Sequence, residues 1–419
     1  MSKNKRKILN DPVYGFISIP DDMIFDIIEH PYFQRLRRIQ QLGLTHYVYP
    51  GALHTRFHHA LGAMHLMDNA LEMIRSKGTD VTEHEYLSAI IAILLHDIGH
   101  GPFSHALEHS IVSNIGHEEI SLAVMHTLNK HFGEQLENAI HIFKGSYPRA
   151  FFHQLVSGQL DVDRLDYLTR DSFFTGVSEG IIGTERIIKM MNVCNNQLVI
   201  EEKGIYSIEK FLISRQLMYW QVYLHKTVIS AEVLLIKVLK RAHALCCSGT
   251  QLPCSPALEP FIRKVVTRED FLNNPDYLDM FCQLDDFDII SSIKLWMNSK
   301  DKILSDLSKR VINRKLFRTI LLDKKCTRDQ MKQILKATAK QMRICENDAI
   351  SYIESGKIKA QAYDSAHNPI SIFYRDGSLK DVSEASTTIN FGLISGQKTK
   401  YYLSFPKEME NNILQILNK

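Results

Sequence analysis

Ala89-Ile-Ile-Ala-Ile-Leu-Leu-His96-Asp-Ile-Gly-His-Gly-Pro-Phe-Ser-His105 is the stretch from which the fold can be read. Its apolar run continues a helical pattern that begins at Glu83, so the segment Glu83 to His96 predicts a largely buried helix. That helix turns polar at its last residues, and Gly99 and Gly101 then break it. His96 and Asp97 are thereby placed at the lip of a core. Imidazole and carboxylate suit Mn, Fe, Zn or Mg, and the absence of nearby Cys argues against a structural thiolate zinc site. Taken alone, a His-Asp pair is most simply a hydrogen-bonding arrangement at a helix end.

The pair is not alone. Upstream, Thr55-Arg-Phe-His-His-Ala-Leu-Gly62 opens a helix whose apolar stripe is Phe57, Ala60, Leu61, Met64, Met67, Leu71 and Ile74, with Gly78 to end it. Downstream, Leu160-Asp-Val-Asp-Arg-Leu-Asp-Tyr167 puts four ionisable groups into a segment, Phe151 to Arg170, that reads as a packed helix. The pattern His…His-Asp…Asp, spread over three helices, offers four imidazole or carboxylate ligands to one ion. Burying that many acids without a cation is costly, so the metal reading strengthens as the group is assembled.

Around this centre the chain is ordinary. It has 419 residues, 45% hydrophobic and 23% charged, which excludes disordered, collagen-like and disulfide-scaffold classes. A net charge of +3 is too small for a bulk polyelectrolyte binder, so nucleic acid is not an expected partner. The longest uncharged apolar run, Ala89 to Leu95, is far short of a membrane span, and the basic N-terminus has no apolar segment behind it. Seven cysteines without CxxC read as reduced thiols, and the expected compartment is the cytoplasm. Histidine is the anomaly: sixteen of 19 lie between His30 and His153.

A long helical pattern without Pro or Gly runs from Ser207 to about His243, preceded by a hairpin-like stretch, Gln197 to Tyr206. Turn formers from Cys247 to Pro256 mark the best domain boundary, dividing the chain into residues 1–245 and 246–419. More helices follow to about Arg314. Ile370 to Val382 then reads as two strands around Asp376-Gly377, Tyr401 to Phe405 adds a strand, and Pro406 can open a last helix. The expected fold is mainly α, a helical core followed by a smaller α+β C-terminal domain.

Six motifs follow one another: Asn10-Asp-Pro-Val-Tyr-Gly15, Pro31 to Gly43, Tyr47-Val-Tyr-Pro-Gly51, Arg56-Phe-His-His59, His96 to His105, and Asp161-Val-Asp-Arg-Leu-Asp-Tyr167. In this order the chain resembles the HD-domain metal-dependent phosphohydrolases, densely over residues 7 to 230 and faintly beyond about 250. Within them it is similar to the deoxynucleoside triphosphate triphosphohydrolase branch. The resemblance implies an HD-domain helical core, a divalent ion on His59, His96, Asp97 and Asp163, and Mg accompanying the nucleotide. It places His100, His105 and His117 around the α-phosphate for acid-base work, with His105 favoured as the acid for the leaving group. It carries Arg56, Arg164 and Arg215 to the phosphates. Tyr167 falls against C2′, Asp171 and Gln41 on the 3′-hydroxyl, Leu42 beside the base and Tyr223 near the sugar.

Two departures stand out. His58 replaces a frequent Glu, and Phe173-Phe174 stands where a mammalian member has two histidines. Lys7, Asn10, Gln34, Arg37, Arg186, His225 and Lys226 fall where nucleotide-regulated members bind an activator between subunits, while Glu29 replaces the Asp that reads guanine. A site of that kind implies a homo-oligomer, dimer or tetramer. The expected activity is hydrolysis of deoxynucleoside triphosphates to deoxynucleoside and triphosphate. The alternatives are an HD phosphohydrolase acting on a nucleoside monophosphate or signalling nucleotide, and a nucleic-acid- or partner-binding protein with a vestigial metal site.

Overall fold

The computed structural model describes residues 7–103, 107, 111–361, 363–365, 368–389, 391, 396 and 398–417. The chain is mainly helical with small sheets, and its C-terminal part is α+β, as the sequence predicts. Three helices frame the centre. Arg56–Ser76 packs against both Glu83–Leu95 and Val162–Thr175, and its apolar stripe is buried from Phe57 to Ile74. Gly78, at φ +92°, turns the chain away from its end. Thr82 and Glu85 start the second helix reciprocally: Thr82 Oγ1 accepts from the Glu85 N–H, and the Glu85 carboxylate accepts from the Thr82 N–H. Ala89 to Leu95 are then buried all round, and they anchor the His-Asp pair that follows.

The helix predicted over Phe151 to Arg170 is two, Ala150–Val156 and Val162–Thr175. The break belongs to Asp161, whose carboxylate accepts from the N–H groups of Gly158 and Arg164, each at 2.7 Å. Capping by an acid that reads as helical in a periodicity count is what ends one helix and begins the next. The long helix predicted from Ser207 also divides, into Ile205–Met218, a wide turn Tyr219–Tyr223, and Lys226–Cys247. There the Leu224 N–H reaches back to Tyr219 O, and the His225 ring accepts from the Thr227 N–H as the cap of the second helix. Such widened turns inside helices are frequent at functional sites.

The hairpin expected at Gln197 to Tyr206 lies earlier. Met191–Cys194 pairs antiparallel with Gln197–Glu201 around Asn195-Asn196, both left-handed, at φ +51° and +60°. Asparagine tolerates that conformation better than most residues, so the turn sits there. The Asp376-Gly377 hairpin forms as expected between Ser371–Phe373 and Leu379–Asp381, and it joins Gln197–Glu201 in parallel to complete a four-stranded sheet. Lys398–Phe405 is the middle strand between Arg318–Leu322 and Glu354–Ala360, and its Leu403 and Phe405 pack with Ile334, Ile353, Met409 and Ile413 in a small second core. The large core runs continuously from Ile17 to Phe391. Among the described residues no helix is long and apolar enough to cross a membrane.

Candidate active site

His59 sits one turn into its helix and is fully buried. Its Nδ1–H donates to Asp166, 2.8 Å away, and Nε2 points at Asp163 Oδ1, 3.0 Å away. His96 caps the second helix, where its Nδ1–H donates to Ile93 O at 2.6 Å and its Nε2 lies 3.5 Å from Asp163 Oδ1. In each ring the partner of Nδ1 is an acceptor, so Nδ1 carries the hydrogen and Nε2 offers a lone pair. Both Nε2 atoms are buried and meet the geometry of no hydrogen bond. Two oriented imidazole lone pairs aimed at one carboxylate, with no proton donor of their own, suit a divalent cation. His59, His96 and Asp163 bring their ligand atoms within 4.8 Å of one another.

Asp97 borders this group, with Oδ2 3.6 Å from His59 Nε2 and Oδ1 3.4 Å from His96 Nε2. Its nearer partners are the Arg56 guanidinium and His100 Nε2, the latter at 3.3 Å, and with His100 and His117 it forms a second close triad. The rings of His100 and His117 stack at 3.9 Å. His105 lies outside the described residues.

Electrostatics follow from this crowding. Burial lowers the His59 ring, yet the carboxylates of Asp163 and Asp166 outweigh it and raise it to about 10. Burial opposes ionisation of Asp97 and Asp163 as well, but His96, Arg56 and His100 hold the first well below the usual carboxylate range, and His59 and His96 lower the second. His100 is driven the other way, by burial and the Arg56 charge, and is neutral. The same carboxylates that raise the two rings would be balanced by a divalent ion at their Nε2 lone pairs.

Local packing explains the loop. Gly99 lies against the first turn of His117–His131, where a Cβ would collide with His117 O and Ser121 N. Ser121 Oγ accepts from the Gly99 N–H at 2.9 Å and donates to His96 O at 2.8 Å. On the far side of His59, Asp166 also accepts from Arg170 Nε and Nη2, each at 2.9 Å, and Arg170 bonds Asp11 at 2.7 Å. This buried network leans on Gly62, where any Cβ would overlap Asp166 and Arg170.

Next to the metal-ligand group lies the expected substrate set. Tyr167 follows Asp163 by four residues on one helix face, and the charges of Arg215 and Arg164 both act on its phenol. Arg164 pairs with Asp161 at 2.8 Å and lies 3.8 Å from Asp163; its Nε is buried without a hydrogen bond. Arg215 is buried at the end of Ile205–Met218. The wide turn that follows carries Tyr223 to 6.2 Å from Tyr167, ring to ring. Asp171 accepts from Tyr223 Oη and from His54 Nε2, both at 2.7 Å. Gln41 donates its backbone N–H to His54 O, while its side-chain oxygen is buried without a partner; Leu42 follows it, half-buried.

His58 takes the place of Glu by capping, its Nδ1 accepting from the Thr55 N–H at 3.1 Å. Phe174 stacks on His54, and Phe173 is exposed. The regulatory candidates scatter within one chain. Arg37 bonds Gln34 and lies over the Phe57 ring, Lys7 lies over Phe25, Asn10 is on the strand Ile8–Asp11, and Glu29 ends the helix Asp22–Glu29. Arg186 lines a groove of about 980 Å³ with Tyr14 and His65. His225 caps its helix, and Lys226 lines a separate cavity of about 190 Å³ with Arg314, Arg318 and Lys407.

Sequence reading passes over Asp166, Arg170, Asp11, His54 and Ser121. Asp166 and Asp11 lie inside the motifs themselves, and spacing by three from a ligand is the signal that marks Asp166.

The HD domain model matches residues 56–171 and the HD associated region model residues 182–249. The uncharacterized protein YwfO of Bacillus subtilis is 31% identical, over 97% of this chain and 93% of its own. The crystal structure of a phosphohydrolase from Bacteroides thetaiotaomicron is 51% identical and superposes with a TM-score of 0.93, over 96% of this chain and 100% of that one. A SAMHD1 homolog of Dictyostelium discoideum, described as a deoxynucleoside triphosphate triphosphohydrolase, is 33% identical over 58% of this chain, which spans 50% of that protein. The chain is an enzyme of the HD-domain phosphohydrolase family, and over part of its length it is similar to the SAMHD1 proteins.

Proposed function

We propose that the enzyme hydrolyses deoxynucleoside triphosphates to deoxynucleoside and triphosphate. The observation that carries this reading is that the charges of Arg164 and Arg215 both act on Tyr167, one helical turn from Asp163. Two cations and a sugar-sized aromatic wall next to a metal-ligand group suit a polyphosphate joined to a sugar. Similarity to proteins described as deoxynucleoside triphosphate triphosphohydrolases points the same way.

In this reading His59, His96, Asp97 and Asp163 hold a divalent ion, Mn, Fe, Zn or Mg, which supplies water activation and charge neutralisation at the phosphorus when bound. Arg56, Arg164 and Arg215 screen the phosphate oxygens, so that the anionic chain is held without repelling the acids beneath it. Tyr167 covers C2′, and Asp171, fixed by His54 and Tyr223, accepts from the 3′-hydroxyl with Gln41 on its other side. Leu42 borders the base. His100 and His117, stacked on one another, take part in acid-base work at the α-phosphate, and His105 donates the proton to the leaving 5′-oxygen.

Residues 1–245 form the catalytic unit and 246–419 an accessory one. A nucleotide bound through Lys7, Asn10, Glu29, Gln34, Arg37, Arg186, His225 and Lys226 activates a homo-oligomer by bridging subunits. The basic cavity at Lys226 supports a phosphate-bearing activator. Seven unbridged cysteines fit a reducing compartment, the cytoplasm.

The test is product identity. Purified protein is incubated with each of the four deoxynucleoside triphosphates and Mn or Mg, and the products are separated by ion exchange. Equal amounts of deoxynucleoside and triphosphate are expected. Monophosphate with pyrophosphate, or turnover of monophosphates only, would replace the reading with the signalling or monophosphate alternative.

A further inference from the structure

The loop that carries His100 rests on a side chain from beyond residue 245. Asp286, 6% exposed, begins the helix Asp286–Trp296, and its two carboxylate oxygens are used separately. Oδ2 accepts from the Gln40 N–H at 2.9 Å, and Oδ1 accepts from the Phe103 N–H at 2.7 Å. Gln40 precedes Gln41, and Phe103 follows His100 by three residues. Phe103 is also left-handed, at φ +53°, a conformation that is unfavourable for a bulky residue and needs support. The surfaces so joined already touch: a Cβ on Gly43, itself at φ +50°, would lie 3.4 Å from Phe103 O. A second strut runs beside the first. The fully buried Arg35 donates to Ile98 O at 2.8 Å and His100 O at 3.0 Å, and to Phe281 O and Leu284 O on the other side.

The geometry points to Asp286 as a positioning residue for hydrolysis, one that clips the Gln40–Gln41 segment to the Phe103 loop and thereby sets His100 against the substrate side. The clip gives the C-terminal half a part in catalysis without contributing a group to the reacting atoms. One part of the inference, the effect through Gln41, rests on the reading of that residue as a nucleoside contact; the part through Phe103 and His100 does not.

The decisive variant is Asp286→Asn in the full-length protein loaded with Mn. Asparagine keeps the size of the side chain but offers one acceptor oxygen and turns an NH2 towards the second backbone N–H. Metal content by mass spectrometry should equal that of wild type, because no ligand is touched. Amide exchange at Gln40 or Phe103 should quicken. Turnover of dATP per folded molecule should fall about ten- to a hundredfold, the scale expected when one buried backbone N–H is left unsatisfied. Bis(p-nitrophenyl) phosphate, which has no nucleoside, should show the loss that passes through Phe103. If wild type hydrolyses this ester but not dATP, the nucleoside reading fails while the ester still tests the clip. Wild-type turnover by the folded variant on every substrate that wild type hydrolyses would reduce Asp286 to a fold contact and overturn the inference. Should the Asn variant not fold, Asp286→Ser, which leaves room for a bridging water, is put through the same comparison.

Discussion

Replacing Asp166 by Asn probes the support of the metal centre without removing a ligand. Asp166 is completely buried and receives three N–H groups: His59 Nδ1 at 2.8 Å and two from Arg170 at 2.9 Å. Asn retains a single acceptor oxygen and loses the charge, so His59 and Arg170 must share it. Arg170 still has Asp11 at 2.7 Å and suffers least. His59 loses the partner that fixes its tautomer and aims Nε2. Loss of such an orienting group lowers metal affinity about 10- to 100-fold. Hydrogen bonds to a buried charge are worth about 1.5–3 kcal/mol, so the fold also weakens on that scale. Mn affinity is read by electron paramagnetic resonance titration of the free ion, and stability by thermal unfolding of the apoprotein. A higher Kd for Mn is expected, with turnover largely regained at saturating Mn. A lower melting temperature with an unchanged Mn affinity would show that Asp166 serves only the Arg170–Asp11 core and that His59 is not a ligand held from behind.

Gly62→Ala should destabilise the protein by about 1–3 kcal/mol, because the new methyl meets Asp166 and Arg170, although Ala is ordinarily the better helix former; a raised melting temperature would refute the packing. Ribonucleotides should be poorer substrates than deoxynucleotides by about ten- to a hundredfold in kcat/KM, since a 2′-hydroxyl would lie unsatisfied against Tyr167; equal rates on ATP and dATP would make Tyr167 a packing aromatic. Arg37→Ala should convert a sigmoidal dependence of rate on deoxynucleotide into a hyperbola and leave Mn content unchanged, and hyperbolic kinetics in the wild type would remove the regulatory site. Burial pushes the Glu232 carboxyl up to about 7, so the folded state is opposed by its ionisation as pH rises from the ordinary glutamate range through 7. Glu232→Gln should therefore raise the melting temperature at pH 8 and leave it nearly unchanged at pH 5; the same shift at both would assign the effect to packing.

The framing helices and the His96-Asp97 pair at the end of one of them were legible because each has a local cause. Ala89 to Leu95 can only be buried, and Gly99 and Gly101 must break the helix, which leaves His96 and Asp97 at its lip. The helix breaks at Asp161 and at His225 were missed because a capping side chain acts through hydrogen bonds that apolar periodicity does not record. The supports of the site were harder still. Asp11 meets Arg170 across 159 residues and Asp286 meets Phe103 across 183, and nothing local distinguishes such acids from solvated ones. Asp97 shows a different limit. The resemblance assigns it to the ligand group, while its carboxylate rests against Arg56 and His100 as well, a choice that depends on charges brought together only by folding.

The proposed attack at the phosphorus joined to the sugar is tested by hydrolysis of dATP in 18O-labelled water, read in one 31P nuclear magnetic resonance spectrum. Triphosphate carrying a single 18O on a terminal phosphorus, with unlabelled deoxyadenosine, is the predicted outcome. Label in free phosphate, in pyrophosphate or in a nucleoside monophosphate, with no triphosphate formed, would contradict it.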